Sequence, residues 1–108
     1  MARAAIIVLT QMPDRASALG FARSLVETRL AACASIGGPV ESLYHWRGKI
    51  EMAQEVPVAL KTSRGRYAEV EAAIRARHPY ELPEIVAVPV TDGLAPYLQW
   101  IVDETVAS

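Results

Sequence analysis

Cys33-Ala34-Ser35-Ile36-Gly37-Gly38-Pro39-Val40-Glu41-Ser42-Leu43-Tyr44-His45-Trp46-Arg47-Gly48-Lys49-Ile50-Glu51-Met52 is the stretch whose reading decides the fold. Cys33 to Ile36 starts a strand. Gly37-Gly38-Pro39 must then be a bulge or bend, after which the strand resumes from Val40 to Trp46. Arg47-Gly48-Lys49 makes a tight turn and Ile50 to Met52 returns. The segment therefore predicts a long, projecting hairpin. The next strand is expected from Glu55 to Thr62. Pro57 inside it cannot donate to a ladder, so it requires an edge position or a bulge.

Upstream of the hairpin, Ala4 to Thr10 is a continuous apolar, β-branched run, the pattern of a strand central in a sheet. Pro13-Asp14 opens a helix with Asp14 as its N-cap. Ala18, Leu19, Ala22, Leu25, Val26 and Leu30 then form the apolar stripe of an amphipathic helix. Downstream, Ser63 is placed to cap a second helix carrying Tyr67, Val70 and Ile74 on one face. That helix stops at His78-Pro79, because the residue before proline avoids helical angles. Ile85 to Val90 is another strand and Thr91-Asp92-Gly93 a turn. Leu94 to Val106 reads as a short C-terminal helix with Tyr97, Leu98, Ile101 and Val102 facing inward.

The order is β-α-β-β-α-β plus a terminal helix, the ferredoxin-like plan of an α+β domain. Right-handed crossovers put both main helices on one face of an antiparallel sheet. The other face has no helix to cover it. The composition agrees: 52% of the 108 residues are apolar and mean hydropathy is positive, more than one small core absorbs. The expected partner is a copy of the same chain. The length favours one domain over residues 1–108.

Eleven basic and twelve acidic residues leave a net charge of −1 with no basic stripe, which argues against nucleic acid as a partner. The longest apolar run, Ala4 to Leu9, is too short to span a bilayer, so no membrane is expected. That run follows Met1-Ala2-Arg3 and ends in a helix-start signal without a small-residue cleavage site, so it reads as a first strand and not a signal peptide. Cys33, the single cysteine, suits a reducing compartment. The protein is therefore expected to be cytoplasmic.

No catalytic centre is expected. Ser42 and Ser63 lie in no motif that marks an activated nucleophile. Gly37-Gly38-Pro39 lacks the spacing and lysine of a phosphate loop. The arginine–asparagine pair that acylphosphatases use on this fold plan is unavailable, because the chain contains no asparagine. The central strands lack the exposed aromatics of RNA-binding relatives of the fold. Cys33, His45, His78, Met12 and carboxylates such as Glu81 are the available metal donors, but none forms a dense ligand spacing. Tyr44 and Trp46, near the hairpin tip, read either as anchors against a neighbouring subunit or as a cross-strand pair. Two prolines fix His78-Pro79-Tyr80-Glu81-Leu82-Pro83-Glu84. Tyr80 and Glu84, with Lys61 at the end of a neighbouring strand, could line a polar ligand cleft between subunits, or Glu84 and Lys61 could pair as a salt bridge.

Several of these segments together resemble the CutA family, named for divalent-cation tolerance. They are Leu25-Val26-Glu27 with Arg29-Leu30-Ala31-Ala32-Cys33, Tyr44-His45-Trp46-Arg47-Gly48-Lys49 and Leu60-Lys61-Thr62. His78 to Glu84 and Pro89-Val90-Thr91-Asp92-Gly93 with Tyr97-Leu98-Gln99-Trp100 continue the likeness. The resemblance implies a tight homotrimer whose strands continue across subunits, copper binding and a role in metal response. It promotes Cys33, His78 and Glu81 as metal ligands, with copper or another divalent cation as the cofactor. Many relatives carry a second cysteine near Met12, before Pro13. Methionine here leaves a two-cysteine copper site without its second thiol. The competing expectations are a small-ligand trimer like the PII signalling proteins, whose basic cradle would be thin here (Lys61, Arg64, Lys49), and a purely structural module.

Overall fold

The computed structural model describes residues 4–106; Met1-Ala2-Arg3, which precede the first strand, lie outside them. Eight elements follow in order: β1 (Ala5–Met12), α1 (Arg15–Glu27), β2 (Cys33–Ile36), β3 (Val40–Trp46), β4 (Lys49–Ser63), α2 (Tyr67–Arg77), β5 (Ile85–Pro89) and α3 (Ala95–Glu104). The sheet runs β2-β4-β1-β5, with β3 also paired to β4, and every pairing is antiparallel. This is the ferredoxin-like α+β plan anticipated from the element order.

Two expected strands prove to be one. The return of the hairpin and the strand after it join as β4, 15 residues long. Its second half pairs with β1 on one side, from Met12↔Val56 to Ala5↔Ser63. On the other side Cys33↔Lys61 through Ile36↔Val58 pair it with β2. Among the described residues its first half pairs only with β3, from Val40↔Glu55 to Trp46↔Lys49. The hairpin thus projects from the sheet as an arm. Its turn is Arg47-Gly48, with positive φ at both residues (51° and 80°), as a two-residue hairpin turn requires.

Pro57 sits where β2 gives way to β3. Its carbonyl accepts a hydrogen bond from Gly37 N–H at 2.9 Å, so its missing donor falls at the Gly37-Gly38-Pro39 interruption, where no ladder bond is needed. A Cβ on Gly37 would lie 2.8 Å from the Pro57 ring. Glycine is therefore required there by close approach.

Alternation along the strands fixes the core. Ile6, Val8 and Met12 of β1 face the same way as Val56, Val58 and Leu60 of β4. They pack against Ala18, Phe21 and Leu25 of α1 and Val70 and Ile74 of α2, so both main helices cover one face. Burial of a side chain such as Phe21 stabilises by about 1.5–3 kcal/mol. Asp14 caps α1, its carboxylate accepting from Ser17 N–H at 2.8 Å. Ser63 does not cap α2. A 3-10 turn, Arg64–Arg66, intervenes, and the Ser63 hydroxyl bonds that of Thr105 at the end of α3. Helix α3 covers one end of the second face, where Leu98 and Ile101 pack on Ala5. Tyr97, expected to face inward, is instead partly exposed above Lys61. The rest of that face carries Ile7 and Leu9 beside the exposed Val86 and Val88.

Candidate functional site

The arm meets the loop between α2 and β5 across a groove of about 800 Å³. One wall is β3 from Ser42 to Trp46, the other is Tyr80 to Glu84, and Glu55 of β4 completes the lining. The loop is held at both ends. Pro79 stops α2 by forcing His78 into extended backbone (φ −82°, ψ 131°). The His78 Nε2–H donates to the Gln11 carbonyl at 2.5 Å, and Nδ1 accepts from Tyr80 N–H at 3.2 Å. The two rings lie 4.5 Å apart. Farther along, the Glu81 carboxylate accepts from Arg47 at the hairpin tip at 2.8 Å. That pair is exposed and contributes at most about 1 kcal/mol; its effect is to hold the loop against the arm. The Arg47 guanidinium also lies 5.2 Å from the Trp46 ring centre, a cation–π contact.

The lining combines aromatic surface with negative charge. Tyr44, Trp46 and Tyr80 supply the rings, while His45 points to the other face of the arm with Ile50; Glu55, Glu81 and Glu84 supply carboxylates, and no lysine or arginine lies among the lining residues. Glu55 is 8% exposed and forms no ion pair among the described residues. Burial pushes the Tyr80 hydroxyl pKa above its ordinary value, and the neighbouring Glu55 charge adds to the rise. Glu55 was not singled out in the sequence. The available signal was a carboxylate directly before the buried run Val56, Val58 and Leu60.

The structure brings some expected site residues together and separates others. Tyr80 and Glu84 share the groove with Tyr44 and Trp46. Lys61 lies elsewhere: its ammonium donates to the Tyr97 hydroxyl at 3.2 Å and sits 5.4 Å from that ring centre. The Tyr97 hydrogen bond holds the Lys61 pKa above its ordinary value. Cys33, a half-buried free thiol, pairs opposite Lys61. His78 contacts Gln11, which pairs opposite Pro57, four residues away along β4, or about 13 Å. Cys33 and His78 of one chain therefore do not share an ion. Both His78 nitrogens are already hydrogen-bonded, and Glu81 is paired with Arg47. Among the described residues no group of three His, Cys, Asp or Glu side chains gathers as a metal cage.

Comparison with known proteins places this geometry. Residues 6–104 match the family model described as CutA1 divalent ion tolerance protein. The divalent-cation tolerance protein CutA of Pectobacterium atrosepticum is 38% identical over 97 residues, covering 90% of this chain and 88% of that protein. The crystal structure of CutA1 from the psychrotrophic bacterium Shewanella sp. SIB1 superposes with a TM-score of 0.92 at 40% identity, covering 97% of this chain and 98% of that one. CutA1 from Oryza sativa gives 0.93 at 30% identity, covering 99% and 98%. On the sequence match and the shared fold alike, the chain belongs to the CutA1 divalent ion tolerance family.

Proposed function

We propose that the chain acts in the response to divalent cations as a self-assembled trimer that catalyses no reaction. The observation that carries this reading is the arm. Leu43, Ile50 and Met52 lie on one of its faces and are 71%, 71% and 62% exposed. Large apolar side chains gathered in this way mark a surface that another protein covers. The uncovered end of the sheet, with Val86 and Val88, offers a second such surface. A copy of the same chain satisfies both at once, and three copies is the number the resemblance to CutA proteins implies. A lone cysteine fits a reducing, cytoplasmic setting.

The metal reading rests on the family's divalent-ion relation and on Cys33 as a soft donor suited to copper. Cys33 stands apart from His78 within one chain, so an ion held by both must lie between subunits. Sedimentation velocity followed by metal analysis tests both parts. The wild type is expected at about three times the chain mass, with the double variant Leu43→Ser, Met52→Ser falling toward the single-chain mass. Copper added before the run is expected to travel with the trimer and to be lost in Cys33→Ala. A folded wild-type monomer at micromolar concentration overturns the assembly. Equal copper on wild type and Cys33→Ala overturns the metal role of Cys33.

A further inference from the structure

We infer that the groove between β3 and the Tyr80–Glu84 loop binds a small organic cation, an ammonium or guanidinium compound. The inference goes beyond the assembly proposed above, because a single chain builds the groove. Two independent features point the same way. The first is Glu55, a largely packed residue that lines the cavity beside the Tyr80 hydroxyl and forms no ion pair among the described residues. Its carboxylate opens on the groove, where an entering positive group would meet it at short range. Glu84 adds a second charge of the same sign on the lining, while Glu81 is already matched by Arg47.

The second feature is the aromatic wall. Tyr44, Trp46 and Tyr80 surround the space that Glu55 faces. Aromatic faces attract cations through the negative charge of their π-systems. The chain displays this chemistry in miniature at the groove's edge, where the Arg47 guanidinium rests near the Trp46 ring with Glu81 as its carboxylate partner. An anion would meet like charges on entry, and a neutral ligand would gain nothing from the Glu55 and Glu84 charges. The volume, about 800 Å³, is in the range of small-molecule sites.

Titration calorimetry on the intact protein tests this with benzylamine and with benzyl alcohol, its uncharged analogue of similar shape. Benzylamine is expected to bind, and the alcohol to bind about tenfold more weakly or not at all. Glu55→Gln keeps the side-chain shape and removes the charge. It is expected to weaken benzylamine about tenfold while leaving the alcohol unchanged. Glu84→Gln, at an exposed position, is expected to weaken benzylamine by a smaller factor, and it carries the test if Glu55→Gln does not fold. Equal binding of amine and alcohol overturns the inference, as does no amine binding, or amine binding indifferent to both substitutions. Sedimentation of the same samples reports the assembly separately, so failure of one reading is distinguishable from failure of the other.

Discussion

The two halves of β4 are one strand in two environments. From Val56 to Ser63 it lies between β1 and β2 with two helices over one face, and Val56, Val58 and Leu60 are buried. From Lys49 to Glu55 it has one strand neighbour among the described residues, β3, and Ile50 and Met52 stand largely in solvent. Both stretches place apolar residues at every second position. Local pattern makes both of them strands; what differs is whether their own chain supplies the cover. The body is self-sufficient on its helix face, and the arm awaits something else.

The largest effect that sharpens this contrast is a matched pair of truncations. Leu60→Ala removes packing at the centre of the body and is expected to cost about 2–5 kcal/mol in urea denaturation. Met52→Ala makes a comparable cut on the arm and is expected to change the stability of the chain itself by no more than about 0.5 kcal/mol. Any further loss at Met52 should depend on protein concentration, because it belongs to assembly. Equal, concentration-independent losses would break the comparison. A middle-sized effect is expected at the joint between the halves. Gly37→Ala places a methyl against the Pro57 ring and should destabilise by about 1–3 kcal/mol. Hydrogen exchange should register the loosening first around Ile36 and Val58; unchanged exchange there would show that the joint is not tight.

The smallest effect separates the halves by pH. Hydrogen bonds from Ser17 hold the Asp14 carboxyl below its ordinary value of 3.8. A lowered folded-state pKa means that the cap stabilises above the unfolded-state value and that its contribution fades as pH falls through the folded one. The start of α1, over the body, should therefore fray in acid in the wild type, and Asp14→Ala should be frayed already at neutral pH. Helix content by circular dichroism against pH, for both proteins, reads this directly. Parallel curves would remove Asp14 from the account.

Much of this division was legible in the residues. The Gly37-Gly38-Pro39 interruption, the Arg47-Gly48 turn, the Asp14 cap and the stop at His78-Pro79 are each short-range devices with one geometric solution. The requirement that Pro57 take an edge position or a bulge was equally local, and it is met where β2 is interrupted at Gly37. The continuity of β4 was not visible, because Ala53-Gln54 read as a gap between Ile50 to Met52 and Glu55 to Thr62 until β2 and β3 are seen as one interrupted edge facing them. Ser63 looked like a cap, but its hydroxyl is drawn to Thr105, 42 residues away in sequence. The candidate site divided along the same line. Tyr80 and Glu84 share a loop and stayed together. Lys61 is separated from them because Tyr97 of α3 claims it on the second face of the sheet, a long-range contact that spacing does not encode. Glu55 owes its place in the groove to tertiary closure of the loop over the arm.

One consequence follows from where β1 stops. It ends opposite Val56, so residues 49–55 pair with no strand on that margin, and the outer margin of β3 pairs with none among the described residues either. A ribbon bare along both margins is adhesive toward any extended peptide. This ribbon is complete before Ile85 to Glu104 have been synthesised, so a growing chain carries it ahead of much of its body. Glu41, Glu51 and Lys49, spaced along the ribbon, put charges where indiscriminate stacking would begin. Charges so placed disfavour indiscriminate edge-to-edge pairing.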